Sequence, residues 1–209
     1  MVSILGDGFL QPVADLVEKT LKWPATKRNA IQALHFDNIY AVSIILLLAA
    51  TVESYVTRLR YFKGNEGDKK KASVPRYLKL VFPDFRHEKA LTEVFVVRDA
   101  IFHNHLWEID YTWRPMTLEN AELVPHREDR KYANRVSLDT RRTKALRLHV
   151  VPTRVDRRDA VKIFDIVWKT LLFLENKDRN FCYVSHRHVA FRKKMRPVME
   201  VREALAAEL

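Results

Sequence analysis

The residues best equipped for chemistry lie in one stretch, Val94-Phe95-Val96-Val97-Arg98-Asp99-Ala100-Ile101-Phe102-His103-Asn104-His105. On a helix Leu91, Phe95, Arg98 and Phe102 share a face, which puts the Arg98 guanidinium in an otherwise apolar column. A lone buried charge is costly, so this arginine needs a counter-charge. Asp99 and His103 are an i,i+4 pair and can touch. A carboxylate hydrogen-bonded to an imidazole fixes its tautomer and raises its basicity. Arg98 and His103 are five positions apart, about 140° around an α-helix, so on one chain they diverge. A two-fold axis beside this helix would gather two Arg/His sets around one cleft. A phosphate held by guanidinium groups, with an imidazole beside the ribose 2′-OH, is the equipment for RNA cleavage without a metal. In that chemistry the 2′-OH attacks, the imidazole serves as general base or acid, and arginine stabilises the added negative charge. Arg98, Asp99, His103 and Asn104 are the candidate catalytic residues.

The elements that must position them can be read from periodicity and punctuation. Asn38 to Lys63 contains no Gly or Pro, and Ile44, Leu47, Leu48, Thr51, Tyr55 and Leu59 recur at helical spacing. This predicts a long helix over 38–62, apolar on nearly all sides and therefore buried among other helices. Gly64-Asn65-Glu66-Gly67-Asp68 ends it, and Lys69-Lys70-Lys71 follows as an exposed loop. A short helix is expected over 75–81, stopped by Pro83, and the motif helix runs from about 86 to 104. Trp107 to Trp113 alternates with a period of two and reads as a strand, as does Leu146 to Val151. Asp156 is the N-cap of a further helix whose stripe is Ala160, Ile163, Phe164, Val167, Leu171 and Leu174. A terminal helix over 198–208 completes the reading.

The chain has 209 residues, 47% of them apolar, enough to bury a real core. Its four glycines cannot be arranged into a dinucleotide fingerprint, a Walker loop or a nucleophile elbow. The single cysteine, Cys182, excludes an intrachain disulfide and a thiolate metal cluster, so no metal and no cofactor are expected. The first ten residues lack Lys and Arg, unlike a secretory signal. The most apolar run, Ile39 to Val52, is 14 residues, against about 20 needed to span a bilayer. A cytoplasmic protein with no membrane partner is the expectation.

Charge is unevenly placed. The formal net charge is +11, yet 125–158 carries eleven Lys/Arg against four Asp/Glu, and 185–202 carries six against one. The remainder is close to neutral, which points to a polyanion-binding face. Arg141, Arg142, Lys144, Arg192, Lys193 and Lys194 are the candidate RNA-binding residues. Tyr132, Tyr183 and Phe191 lie among these charges, an arrangement suited to stacking on unpaired bases.

At Arg98-Asp99-Ala100-Ile101-Phe102-His103 the sequence resembles the HEPN superfamily, whose ribonuclease members carry an R-x4-6-H motif with a polar residue often following the arginine. A preceding apolar helix with a buried acid, Ala49-Ala50-Thr51-Val52-Glu53-Ser54-Tyr55, and a following amphipathic helix over 159–175 are similar to that family's pattern. The resemblance spans roughly 38–104 and 156–176. It implies a mainly α, antiparallel helical bundle that dimerises through the motif helices. It also implies metal-independent endoribonuclease activity, often in toxin–antitoxin or antiviral defence, with an antitoxin as a further partner. Some members are inactive and only bind nucleotides or partners. On this reading 1–37 is an N-terminal arm, 38–176 the helical domain with a basic, β-containing insertion at 105–155, and 177–209 a basic C-terminal extension.

Rival readings follow from the same residues. Glu53 is placed to neutralise Arg98 or another buried cation, and an Arg98 paired with Glu53 or Asp99 could serve only to tie helices together. A non-catalytic RNA-binding or protein-interaction module is the alternative function. His103-Asn104-His105 spells an HNH nuclease signature without its ββα setting. His186-Arg187-His188 could offer two metal ligands if it formed a strand, although no carboxylate or thiolate is nearby in the sequence.

Overall fold

In the computed structural model the described residues are 6–102, 107–113, 116–123, 134–137, 139–179 and 182–209. The uninterrupted apolar run produces the longest element, a helix His35–Lys63, which ends where Gly64 takes φ +82°. That conformation suits glycine, which lacks the Cβ that would clash. Numbering helices in chain order, this is α2, preceded by α1 (Leu10–Thr20) and followed by α3 (Val74–Val81) and α4 (Glu88–Phe102). α5 (Arg157–Lys177) and α6 (Val198–Ala206) follow. Three small antiparallel hairpins accompany them: β1 (Trp107–Trp113) with β2 (Met116–Leu123), β3 (Val136–Ser137) with β4 (Arg142–Thr143), and β5 (His188–Phe191) with β6 (Lys194–Pro197). The chain is mainly helical with small sheets.

α2 lies at the centre, contacting α1, α3, α4 and α5. Its Ile44, Ile45, Leu48, Val52, Val56 and Leu59 join Val13 and Val17 of α1, Leu91 and Val97 of α4, and Ile163, Phe164 and Leu171 of α5 in one core. By length and composition α2 could cross a membrane, a longer apolar helix than the 14-residue run suggested; half of that window is buried inside the fold.

α1 is part of this core rather than an arm beside it. Leu10, Val13, Ala14 and Val17 recur at i, i+3, i+4 and i+7 and are all buried. The C-terminal segment likewise contributes Val189, Phe191, Val198, Val201 and Leu205 to the same core. The strand expected at 146–151 does not form. Arg147 has φ +58°, which breaks an extended run, and only an isolated bridge pairs His149 with Arg142. Leu148 and Val150 are nevertheless buried, so the alternation that suggested a strand records burial without a ladder.

The start of α5 is fixed by Asp156, whose carboxylate accepts the Arg158 N–H at 2.8 Å, while Asp159 accepts the Asp156 N–H at 3.2 Å. This reciprocal pairing satisfies orphan donors at the helix N-terminus. Arg157, next in line, is 1% exposed and points inward. Its Nε donates to Asp37 at 2.6 Å and its Nη2 to the carbonyls of Trp23 and Thr20 at 2.9 and 3.3 Å. The other Asp37 oxygen accepts from the Thr26 N–H and hydroxyl at 2.9 and 2.6 Å. One buried ion pair therefore ties the end of α1 and the starts of α2 and α5 together.

Candidate functional site

The α4 column predicted to hold Arg98 rises from core to surface along its length. Leu91 is fully buried and Phe95 nearly so, while Phe102 is 68% exposed. Arg98 sits at the emergence point. Its Nη2 donates to Glu53 Oε1 of α2 at 2.6 Å and its Nη1 lies 3.0 Å from Asp99 Oδ1. Its guanidinium lies 5.2 Å from the centre of the Phe95 ring, and its Nε is buried without an acceptor among the described residues. The Glu53 side chain is 40% exposed and that of Arg98 22%, so the pair faces outward.

What it faces is a cavity of about 490 Å³ lined by Glu53, Thr57 and Arg60 of α2, Ala72, Ser73 and Val74 at the start of α3, and Phe95 and Arg98 of α4. Glu53, Thr57 and Arg60 follow one another at i, i+4 and i+7, so α2 presents all three on one face. Arg60 is held in place by the Ala72 carbonyl at 2.5 Å and by the Tyr77 ring, whose centre is 4.6 Å away. Tyr77 is in turn tied to the Gly64 carbonyl at 3.0 Å. The cavity lining thus combines two guanidinium groups, one carboxylate, two hydroxyls and one aromatic ring. Its volume accommodates a nucleotide-sized ligand. Arg60 was not among the sequence candidates; its helical spacing from Glu53 was the signal that could have found it.

His103 and Asn104 lie outside the described residues, as does His105, so only Arg98, Asp99 and Glu53 of the predicted constellation are placed. The expected neutralisation of Arg98 by Glu53 is observed.

The basic candidates stand on two other elements. Arg192 and Lys193 form the two-residue turn between β5 and β6 with φ +50° and +61°, and both are exposed with Lys194. Consecutive left-handed residues suit this hairpin turn, but Asn-Gly normally occupies it. The backbone is anchored by the Glu18 carboxylate, which accepts the Arg192 N–H, and the Arg192 guanidinium lies 5.3 Å from the Phe191 ring. Arg141, Arg142 and Lys144 lie in and beside β4. Lys144 is exposed and its N–H donates to the Arg135 carbonyl at 2.9 Å. Arg142 is oriented by a buried relay. The Asp159 carboxylate can only accept from His149 Nδ1, at 2.8 Å, and the guanidinium can only donate to Nε2, at 2.7 Å. These partners put a proton on Nδ1 and leave Nε2 as the acceptor.

This loop is fastened to the motif helix by a residue the sequence did not single out. Glu93, 1% exposed on α4, accepts the backbone N–H groups of Ala145 and Leu146 at 2.8 and 2.7 Å. Lys162 of α5 donates to the Leu146 carbonyl at 3.1 Å. Nothing in local spacing reveals which distant backbone a buried carboxylate will cap.

Two groupings could be considered for a metal. His149, Asp156 and Asp159 each bring a ligand atom within 4.8 Å of the others. Their oxygens already accept from Arg158, the Asp156 N–H and the His149 N–H, so this cluster is satisfied as a helix cap. His186 lies in a turn and only His188 enters β5, so the strand that would present both does not form. The His186 ring stacks on Tyr183 at 5.2 Å, and His188 Nδ1 lies 2.8 Å from the His186 carbonyl. Cys182 is buried, and that burial pushes its thiol up, away from nucleophilic chemistry.

No family model, curated protein or solved structure matches this chain.

Proposed function

We propose that the chain is a metal-independent endoribonuclease of HEPN type, acting as a homodimer with Arg98 and His103 in the cleft between subunits. The observation that carries this reading is the outward-facing Arg98–Glu53 pair, set between two long helices on the wall of a 490 Å³ cavity. A purely structural arginine is better served by closure from solvent. An arginine on a cavity wall whose carboxylate partners are part-exposed can exchange a partner for a phosphate, to which it offers fork-shaped, charge-assisted hydrogen bonds. Exposed Phe102, one turn beyond Arg98, supports a partner surface at the same end of α4. The basic residues at 141–144 and 192–194 support a polyanionic substrate. A setting in toxin–antitoxin or antiviral defence, with an antitoxin partner, rests on the resemblance of the motif alone, and a cytoplasmic location on the composition.

In the proposed reaction the 2′-oxygen attacks the adjacent phosphorus as His103 removes its proton, and the 5′-oxygen leaves and is protonated. The products are a 2′,3′-cyclic phosphate and a 5′-hydroxyl. Arg98 neutralises the charge that grows on the phosphoryl oxygens. Incubation with single-stranded RNA in EDTA should give these ends, and His103→Ala should abolish them. Mixing Arg98→Ala with His103→Ala subunits should restore cleavage, because the one shared cleft then regains an Arg98 and a His103, each from a different subunit. Activity that disappears in EDTA or survives His103→Ala would refute the mechanism.

The second ion pair of Arg98, with Asp99 at 3.0 Å, favours one other reading, a non-catalytic RNA-binding or interaction module in which Arg98 is held for structure. In that case the wild type binds RNA without cutting it, and Arg98→Ala lowers stability with no change in binding.

A further inference from the structure

We propose that the cavity beside Arg98 holds one whole nucleotide with a phosphate at each end, one phosphate on Arg98 and the other on Arg60. That the phosphate on Arg98 is the scissile one rests on the ribonuclease reading; the occupant of the cavity does not.

The two guanidinium groups on the cavity wall are held in different ways. Arg98 is shared between Glu53 at 2.6 Å and Asp99 at 3.0 Å. Arg60 rests against the Ala72 carbonyl at 2.5 Å, the Asn65 side-chain oxygen at 3.5 Å and the Tyr77 ring, whose centre is 4.6 Å away. Those three partners are uncharged, so Arg60 brings to the cavity a charge that none of them cancels. The lining carries two guanidinium groups against the single carboxylate of Glu53. The approach is basic as well. Lys69, Lys70 and Lys71 outnumber Glu66 and Asp68 in the loop that runs into Ala72 and Ser73 of the wall, and Lys70 and Lys71 are exposed.

Spacing and size favour a nucleotide over a single phosphate. Arg98 is anchored at Glu53, and Arg60 leaves α2 seven residues further on, about 10.5 Å along the helix axis. With Arg98 tied to Glu53 and Arg60 tied to Ala72 and Tyr77, the two groups are fixed to separate points of the wall. Such a pair suits two phosphates joined by a ribose, each met by its own guanidinium fork. The volume of about 490 Å³ leaves room for sugar and base between them. Ser73, the N-cap of α3, lines the same cavity, and its side chain makes no capping bond, which leaves the hydroxyl to a ligand. Tyr61, one turn beyond Thr57 on α2 and 71% exposed, offers a base a ring to stack on.

The test is titration calorimetry on the full chain with uridine 3′,5′-bisphosphate and uridine 5′-monophosphate. The wild type should bind the bisphosphate at least about tenfold more tightly, because only that ligand engages both arginines. Arg60→Met keeps the stem against Tyr77 and removes the charge. It should erase the preference, while the monophosphate, which still has Arg98, keeps most of its affinity. An Arg60 held only for structure would lower the melting temperature and leave the ratio of the two affinities intact. Thr57→Glu sets a carboxylate on the cavity wall at an exposed position and should weaken the bisphosphate more than the monophosphate. It decides the question if Arg60→Met does not fold. A wild-type ratio in the folded variants, or inorganic pyrophosphate bound as tightly as the bisphosphate, overturns the site. If the ratio depends on Arg60 but no RNA is cut in EDTA, the nucleotide site stands and the ribonuclease reading falls. If RNA is cut yet the wild type shows no preference for the bisphosphate, the nucleotide site falls and the ribonuclease reading stands.

Discussion

Two arginine–carboxylate pairs join α2 to other helices at the same 2.6 Å distance, yet they belong to different kinds of chemistry. In the Arg157–Asp37 pair the side chains are 2% and 0% exposed, and both carboxylate oxygens are filled by neighbouring donors. In the Arg98–Glu53 pair they are 22% and 40% exposed, and the guanidinium borders a cavity. Distance alone does not separate structure from function; saturation of hydrogen-bonding capacity and access to solvent do. A sealed pair has nothing left to offer a ligand, whereas an open pair can exchange its partner for a phosphate.

The contrast is broken most severely at the sealed end. Asp37→Ala leaves Arg157 charged and buried without its partner, an expected cost of about 3–5 kcal/mol. Urea unfolding should show a large fall in midpoint or no cooperative transition, and a near-neutral result would mean that the site is open to water. Glu93→Ala comes next, at about 1–3 kcal/mol, because two part-buried backbone N–H groups lose their acceptor. Hydrogen exchange should then accelerate selectively at Ala145 and Leu146.

Acid sharpens the comparison further. Burial raises the Glu175 carboxyl, but the Ser185 hydroxyl and the N–H groups of Val184 and Ser185 outweigh it and hold it below the ordinary 4.5. A depressed folded value means that this contribution is fully present above pH 4.5 and lost as the pH falls through the folded value. Glu175→Gln should therefore flatten the acid limb of the stability curve while leaving its slope near neutrality unchanged. At the open end, Glu53→Ala should cost only about 0–1 kcal/mol, since Arg98 keeps Asp99 and solvent. A loss comparable to that of Asp37→Ala would place the two pairs in one class.

How much of this the sequence disclosed follows the same division. α2, α3, α4 and α5 were legible because periodic apolar residues and punctuating Gly, Pro and Asp act locally. The Glu53–Arg98 pair was legible because each charge interrupts an apolar helix and demands a partner. The Asp37–Arg157 pair was not, since its members are 120 residues apart and each resembles an ordinary helix-end charge. α1 carried its stripe openly at Leu10, Val13, Ala14 and Val17, but Gly6, Gly8 and Pro12 nearby masked it. The 146–151 strand was misread because burial of alternate side chains does not require a ladder when Glu93 and Asp159 supply the backbone partners.

The central claim, that Arg98 is held for chemistry rather than for the fold, is tested most directly by measuring Arg98→Ala twice on one preparation. Single-turnover cleavage of RNA in EDTA should fall at least about a hundredfold. The melting temperature should drop by only about 2–4 °C, as expected for a loss near 1 kcal/mol in a chain of this size. Cleavage equal to the wild type, or a loss seen only at temperatures where the variant unfolds, would contradict it.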